Sequence, residues 1–263
     1  MIQTDLLAAG SGVLVGFLLG LLGGGGSILA VPLLLYVVGV GDPHLAIGTS
    51  ALAVALNAFA NLIQHARVGN VKWPCAAVFA SAGVLGAIAG SSLGKAVEGE
   101  RLLVLFALVM VAVGVAMLRP RRSEGDPSVR INPKIAVRLA GIGFLTGAVS
   151  GFFGIGGGFL IVPGIMLGSG MPILNAIGSS LFSVGAFGLA TAVNYALSGL
   201  VAWPIALAFI AGGVVGGFLG LKAAVRLSTE KQALNRIFAG VIFAVAAYML
   251  WRSLPAVLVN LGA

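Results

Sequence analysis

GLLGGGGSILAVP occupies residues 20–32, and GFFGIGGGFLIVP occupies residues 151–163. Each is a glycine cluster set in apolar sequence and closed by a proline. Working outward, Gly12, Gly16, Gly20, Gly23, Gly25, Gly26 and Pro32 pair with Gly143, Gly147, Gly151, Gly154, Gly156, Gly157 and Pro163. AIGTS (46–50) then pairs with AIGSS (176–180), and GNVKWP (69–74) with GLVAWP (199–204). Gly83, Gly86 and Gly90 pair with Gly213, Gly216 and Gly220. An ordered series of this kind is an internal duplication, not a chance likeness between glycine-rich helices.

The composition fixes the solvent. Of 263 residues, 59% are hydrophobic and 8% charged, with a mean hydropathy of +1.13. Soluble domains carry about 25% charged residues. An ordinary soluble domain, a disordered chain and a nucleic-acid-binding module are excluded, and the lipid bilayer is the chain's medium. The net charge of +8 comes from 15 Lys/Arg placed between apolar runs, so it reads as membrane topology. The lone Cys75 excludes an internal disulfide and a multi-thiolate metal site. The first apolar run starts at Leu6 with no basic residue before it, unlike a secretory signal.

A spanning helix needs about 20 mostly apolar residues. Apolar segments cover 6–38, 45–66, 73–94, 102–118, 139–168, 173–198, 203–221 and 237–251. The stretch 119–138 is a basic linker with three prolines, expected in the cytoplasm. Residues 1–118 form the first repeat and 139–263 the second.

Corresponding loops have opposite charge bias. Loop 67–72 holds Arg67 and Lys72, whereas its partner 197–202 is uncharged. Loop 95–101 is balanced, whereas 222–236 holds Lys222, Arg226, Lys231 and Arg236 against Glu230. An inverted repeat produces this pattern and needs an odd number of crossings per half. Segments 6–38 and 139–168 are over-long and glycine-broken, so each is expected to enter and leave on one side. The expected fold is an all-α polytopic membrane protein of two inverted structural repeats. Each repeat is a Gly-broken re-entrant helix pair followed by three spanning helices, with both termini external.

On that reading the glycine turns sit near mid-membrane, approaching from opposite faces. Irregular backbone at that depth is tolerated where protein buries it or it lines a cavity. The second helix of each pair starts near Ile28 and Phe159, and its free N–H groups and positive dipole end attract an anion. The carbonyls ending the first helix of each pair suit a cation, and the sequence leaves open which set faces a pathway. For the ladders Gly12/Gly16/Gly20 and Gly83/Gly86/Gly90, close helix packing is the favoured reading.

The helix over 45–66 carries Ser50, Asn57, Asn61 and Gln64 on one face, and 173–198 carries Ser180, Ser183, Thr191, Asn194 and Ser198 in the same phase. Thr49 and Ser179 lie beside the first of each. Such stripes face protein or water. They serve either to bind an oxyanion through neutral donors or to hold the bundle by interhelical hydrogen bonds. His65 is the candidate proton carrier, set against an ordinary interfacial role, and Tyr195 is its repeat partner. No carboxylate lies in a predicted span, so no coupling site is evident.

At these residues the chain resembles the sulfite exporter TauE/SafE family of bacterial membrane permeases. The resemblance rests on GLLGGGGSILAVP, its copy GFFGIGGGFLIVP, AIGTS, AIGSS and the two WP starts, and spans about residues 6–251. It implies transport of a sulfur-containing oxyanion, such as sulfite or an organosulfonate, across the cytoplasmic membrane. The implied binding residues are Gly25, Gly26 and Ser27 with Gly156, Gly157 and Gly158, plus Thr49, Ser50, Ser179 and Ser180. The stripe residues Asn57, Asn61, Thr191 and Asn194 complete the substrate-binding set. The expected partners are a small anion and the bilayer, not nucleic acid. No cofactor, metal or catalytic residue is expected. A passive anion channel of the same architecture is the alternative.

Overall fold

The computed structural model describes residues 2–118, 125–126, 129–154, 158–226, 239–240 and 242–253. Every regular element among them is helical. α1 (Ile2–Leu22) runs into the first glycine cluster, which continues as a 3-10 segment, Gly23–Leu29. A short α2 (Ala30–Pro32) and a π-helical turn, Leu33–Val38, complete this returning arm. α3 (Pro43–Arg67), α4 (Trp73–Ala96) and α5 (Gly99–Leu118) follow. The order then recurs as α6 (Pro133–Phe153), a turn at Gly154, α7 (Gly158–Ser169), α8 (Ile173–Ala196), α9 (Trp203–Arg226) and α10 (Ile242–Ser253).

Local chemistry sets the boundaries. Asp42 accepts the N–H of His44 and Asn132 that of Ile135, each ahead of a proline in the first helical turn. Gly154 ends α6 in the left-handed region at φ +64°, where only glycine is unstrained. α1, α3, α4, α6, α8 and α9 have the length and apolarity to cross a bilayer. Leu85, Leu93, Leu145 and Leu207 are exposed along them and present apolar side chains outward.

The glycine ladders decide the packing. Those of α1 and α9 mesh backbone to backbone: Gly12, Gly16 and Gly20 meet Phe209, Gly213 and Gly217, while Gly212, Gly216 and Gly220 meet the carbonyls of Ala9, Val13 and Phe17. α4 and α6 mesh likewise, through Gly83, Gly86, Gly90 and Gly94 and through Gly143, Gly147 and Gly151. The ladder of each repeat therefore packs against the other repeat, which agrees with the close-packing reading.

The register of these contacts gives the directions. Residue numbers rise together in α1 and α9 and in α4 and α6, so each pair runs parallel. Asn57 meets Gly213 and Asn61 meets Gly217, so α3 and α9 are also parallel. Between α3 and α8 the order reverses: Gly48 meets Tyr195, Ala55 meets Gly188 and Phe59 meets Gly185. α1, α3 and α9 therefore run one way, and α4, α6 and α8 the other.

One end of the bundle accordingly gathers Arg67, Lys72, Arg130, Lys134, Arg138, Lys222 and Arg226, with Asp126. The opposite end holds Asp5, Asp42, Lys95, Glu98, Glu100, Arg101 and Arg252. Of its carboxylates, Glu98 pairs with Arg101 at 2.8 Å.

The depth of the glycine turns differs from expectation. α1 has 21 residues, about 31 Å of helix, and keeps pace with α3 along its length: Gly16 sits beside Gly213 and Asn57, Gly20 beside Gly217 and Asn61. The first turn is therefore level with the C-terminal end of α3, and the second with its N-terminal end. An uninterrupted apolar helix satisfies its own backbone, so nothing forces it to stop halfway across.

Candidate functional site

The two turns are built alike at opposite ends of the bundle. At one end, Gly154 packs on Ile47, and Ser50 Oγ lies 2.8 Å from the Ile47 carbonyl and 3.3 Å from that of Gly154. At the other, Gly23 (φ +67°) packs on Ile177 and Ser180, whose hydroxyl donates to the Ile177 carbonyl at 2.7 Å. Gly25 and Gly26 lie within the 3-10 segment, and Ser27 within it is fully buried. Gly26 presses on Leu18 and Leu19 of α1, which closes the hairpin. Gly158 opens α7, whereas Gly156 and Gly157 lie outside the described residues.

Between the turns runs a line of buried polar side chains. Asn57, Asn61 and His65 follow one face of α3, each at most 1% exposed. Among the described residues, both amide atoms of Asn57, the Asn61 Oδ1 and the His65 Nδ1 have no hydrogen-bond partner. Asn61 Nδ2 donates to the Asn57 carbonyl at 2.9 Å, and His65 Nε2 lies 3.5 Å from the Gly20 carbonyl. On α8, Ser183, Thr191 and Tyr195 are fully buried with unpartnered hydroxyls, as is that of Ser150 on α6, 1% exposed. Polar groups without partners in an apolar interior cost about 1–3 kcal/mol each. A protein that keeps this many at mid-bundle has a use for them.

Not every member of the expected set has a free hydroxyl or amide. Thr49 Oγ1 accepts the N–H of Ala202 at 2.9 Å and donates to the Leu45 carbonyl at 2.6 Å. Ser179 Oγ accepts the N–H of Lys72 at 2.9 Å. These equivalent hydroxyls serve backbone groups just before α9 and α4, which otherwise lack an intrahelical partner. Asn194 lies at the end of α8, where its Nδ2 donates to Ser91 and Ser92 at 2.6 and 3.0 Å. Its Oδ1 accepts from Lys95 at 2.6 Å. Sequence reading passed over Lys95 as one charge of a balanced loop. Nothing in the repeat alignment marks it, because its counterpart is Val225.

The repeat is unequal where it matters. Asn57 seats against Gly213, whereas its equivalent Phe187 seats against Gly83 and stacks on Phe79. His65 is matched by Tyr195, a fully buried phenol.

A polytopic helical bundle with crossed repeats and a buried polar line defines a membrane transporter. The family comparison is specific: the model for "Sulfite exporter TauE/SafE" matches residues 8–249, and the chain belongs to that family. A "Probable membrane transporter protein" of Xylella fastidiosa strain Temecula1 is 56% identical over 96% of this chain and 97% of its own length. The probable membrane transporter protein YunE of Bacillus subtilis is 25% identical over 92% and 96%. MJ0441 of Methanocaldococcus jannaschii, named likewise, is 26% identical over 83% and 87%. No solved structure matches the chain.

Proposed function

We propose that this protein is a secondary transporter for a small sulfur-containing oxyanion, sulfite or an organosulfonate, in the cytoplasmic membrane. The observation that carries the reading is the pair of equivalent glycine turns, each against its own serine at an opposite end, joined by unpartnered buried amides and hydroxyls. The halves act as inverted repeats. The antiparallel contact of the equivalent helices α3 and α8 supports this, as does the parallel contact of α1 with α9 and α4 with α6. Exchanging the two halves then exchanges the two faces, as alternating access requires.

The end rich in Arg67, Lys72, Lys134, Arg138 and Lys222 faces the cytoplasm. The anion passes between the half-sites Gly154/Ser50 and Gly23/Ser180 along Asn57, Asn61, Ser183 and Thr191. Neutral donors suit this task because a fixed charge at mid-depth would trap the ion. Thr49 and Ser179 act indirectly, by holding the starts of α9 and α4. Gly25, Gly26, Ser27 and Gly158 shape the turns. His65, on the polar line beside Gly20, is placed to carry a proton with the anion.

Radiolabelled sulfite counterflow in proteoliposomes tests the reading. Unlabelled sulfite loaded on the far side is expected to accelerate uptake, and Asn57→Leu to abolish it. Linear, unsaturable flux without counterflow would replace the transporter by a channel. Absence of sulfite and sulfonate flux under every ion gradient and potential would overturn the substrate class.

A further inference from the structure

Lys95 ends α4 with its ammonium turned across to the other repeat. Nζ donates to the Asn194 carbonyl at 3.1 Å, to Asn194 Oδ1 at 2.6 Å and to Ser198 Oγ at 2.9 Å. It also lies 5.9 Å from the centroid of the Tyr195 ring. All four partners are neutral. Among the described residues no carboxylate lies within 4.0 Å of Lys95, and Glu98, one turn on, is paired with Arg101. A cation packed at a helix–helix contact with only dipoles for company keeps its charge available to an anion.

The surroundings lead inward. Tyr195 packs on Gly48 of α3, and two residues on Ser50 touches the Gly154 turn. Gly94, beside Lys95, packs on the Phe152 carbonyl just before that turn. Tyr195 and Thr191, one helical turn apart, carry the fully buried, unpartnered hydroxyls described above. The ammonium at the rim, the two orphan hydroxyls of α8 and the Ser50 half-site on α3 thus gather at one end of the bundle. The repeat does not reproduce this arrangement: the counterparts of Lys95, Asn194 and Ser198 are Val225, Gln64 and Val68.

We propose that Lys95, with Asn194 and Ser198, forms an oxyanion-binding station at the outer mouth, and that an arriving anion takes Nζ from these partners and loosens the α4–α8 contact. The inference rests on the transporter reading above, and it assigns the charge selection that neutral mid-bundle donors cannot provide. An oxyanion adds the attraction of opposite charges to the ammonium's hydrogen bonds, which its neutral partners cannot, so the exchange runs toward the anion. Ser91, fully buried and bonded to Asn194, becomes accessible when the contact loosens. A plain capping role is the competing account, because the Asn194 carbonyl belongs to the last turn of α8.

The test uses the full-length protein in proteoliposomes with Cys75→Ser and Ser91→Cys as the only thiol. Labelling by a membrane-impermeant maleimide is followed with methanesulfonate and with its neutral analogue methanesulfonamide. Methanesulfonate is expected to raise the labelling rate, methanesulfonamide to leave it unchanged, and Lys95→Gln to remove the difference while Lys95→Arg keeps it. In sulfite flux, Lys95→Gln is expected to raise KM about tenfold, one charge-assisted bond's worth. Labelling indifferent to the anion, or equally responsive in Lys95→Gln, overturns the station and leaves capping. Because labelling needs no flux, a protein that moves no sulfite but shows the charge-dependent labelling would keep the station and discard the sulfite reading.

Discussion

Replacing Gly16 by alanine should destabilise the protein, whereas the same replacement at Gly10, less than two turns earlier on α1, should stabilise it. Both sit in the helix interior, where alanine is favoured over glycine by about 0.5–1 kcal/mol. At Gly10 an added methyl meets nothing within 4 Å, so that gain stands alone. At Gly16 it runs into the carbonyl of Gly213. Backbone cannot rotate away as a side chain can, so α1 and α9 must part by more than about 1 Å to restore a separation near 3.5 Å. A gap of that size forfeits about a quarter to a half of each contact along the interface. The neighbouring rows Gly12–Phe209, Gly20–Gly217 and Gly216–Val13 share the loss. Overpacking of this kind costs about 1–3 kcal/mol, which outweighs the helix-propensity gain by about 1–2 kcal/mol. Melting of the detergent-solubilised protein, followed by loss of the monodisperse chromatographic peak, should fall by about 3–6 °C for Gly16→Ala and rise by about 1–3 °C for Gly10→Ala. If Gly16→Ala melts with Gly10→Ala, the ladder does not hold the two repeats together.

Asn57→Leu should preserve or raise the melting temperature, because it removes two unpartnered polar atoms worth about 1–3 kcal/mol, while sulfite counterflow is lost. Thr49→Val should lower stability by about 1–2 kcal/mol by orphaning the Ala202 N–H, and should leave flux measurable. In a Cys75→Ser background, Arg67→Cys should resist an impermeant maleimide applied to intact cells, whereas Glu98→Cys should react; the reverse pattern would invert the assigned orientation.

The all-helical membrane class, the duplication and most helix boundaries were legible in the sequence, because glycine spacing, WP starts and apolar length are local signals. α6, however, begins at Pro133, inside the stretch read as linker 119–138, because Asn132 and Pro133 start a helix that its charges disguise. What was not legible was which ladder meets which: nothing in Gly12/Gly16/Gly20 names Gly213 and Gly217 as partners rather than a helix of the same repeat. The depth of the glycine turns was missed for a related reason. Glycine marks where a chain can turn, while packing against α9 decides how far α1 travels first. Of the site, Ser50, Asn57 and Asn61 could be read from helical periodicity, but periodicity ended that stripe on Gln64, whereas the buried line ends on His65. Thr49 and Ser179 look identical to pathway hydroxyls until the Ala202 and Lys72 N–H groups are placed beside them.

The departures from the repeat carry the functional argument further than the repeat itself. A duplicated backbone gives two mouths of the same shape, and identical mouths would treat the two sides of a membrane alike. Here the positions facing the α1–α9 seam are Asn57, Asn61 and His65, while their equivalents near the α4–α6 seam are Phe187, Thr191 and Tyr195. The first set leaves an amide pair and an imidazole along the route toward the basic end; the second leaves two hydroxyls behind Lys95. In the proposal above a fixed ammonium stands at one mouth and an imidazole near the other. Two faces equal in shape and unequal in chemistry are what a duplicated backbone gives once its two copies diverge in side chains.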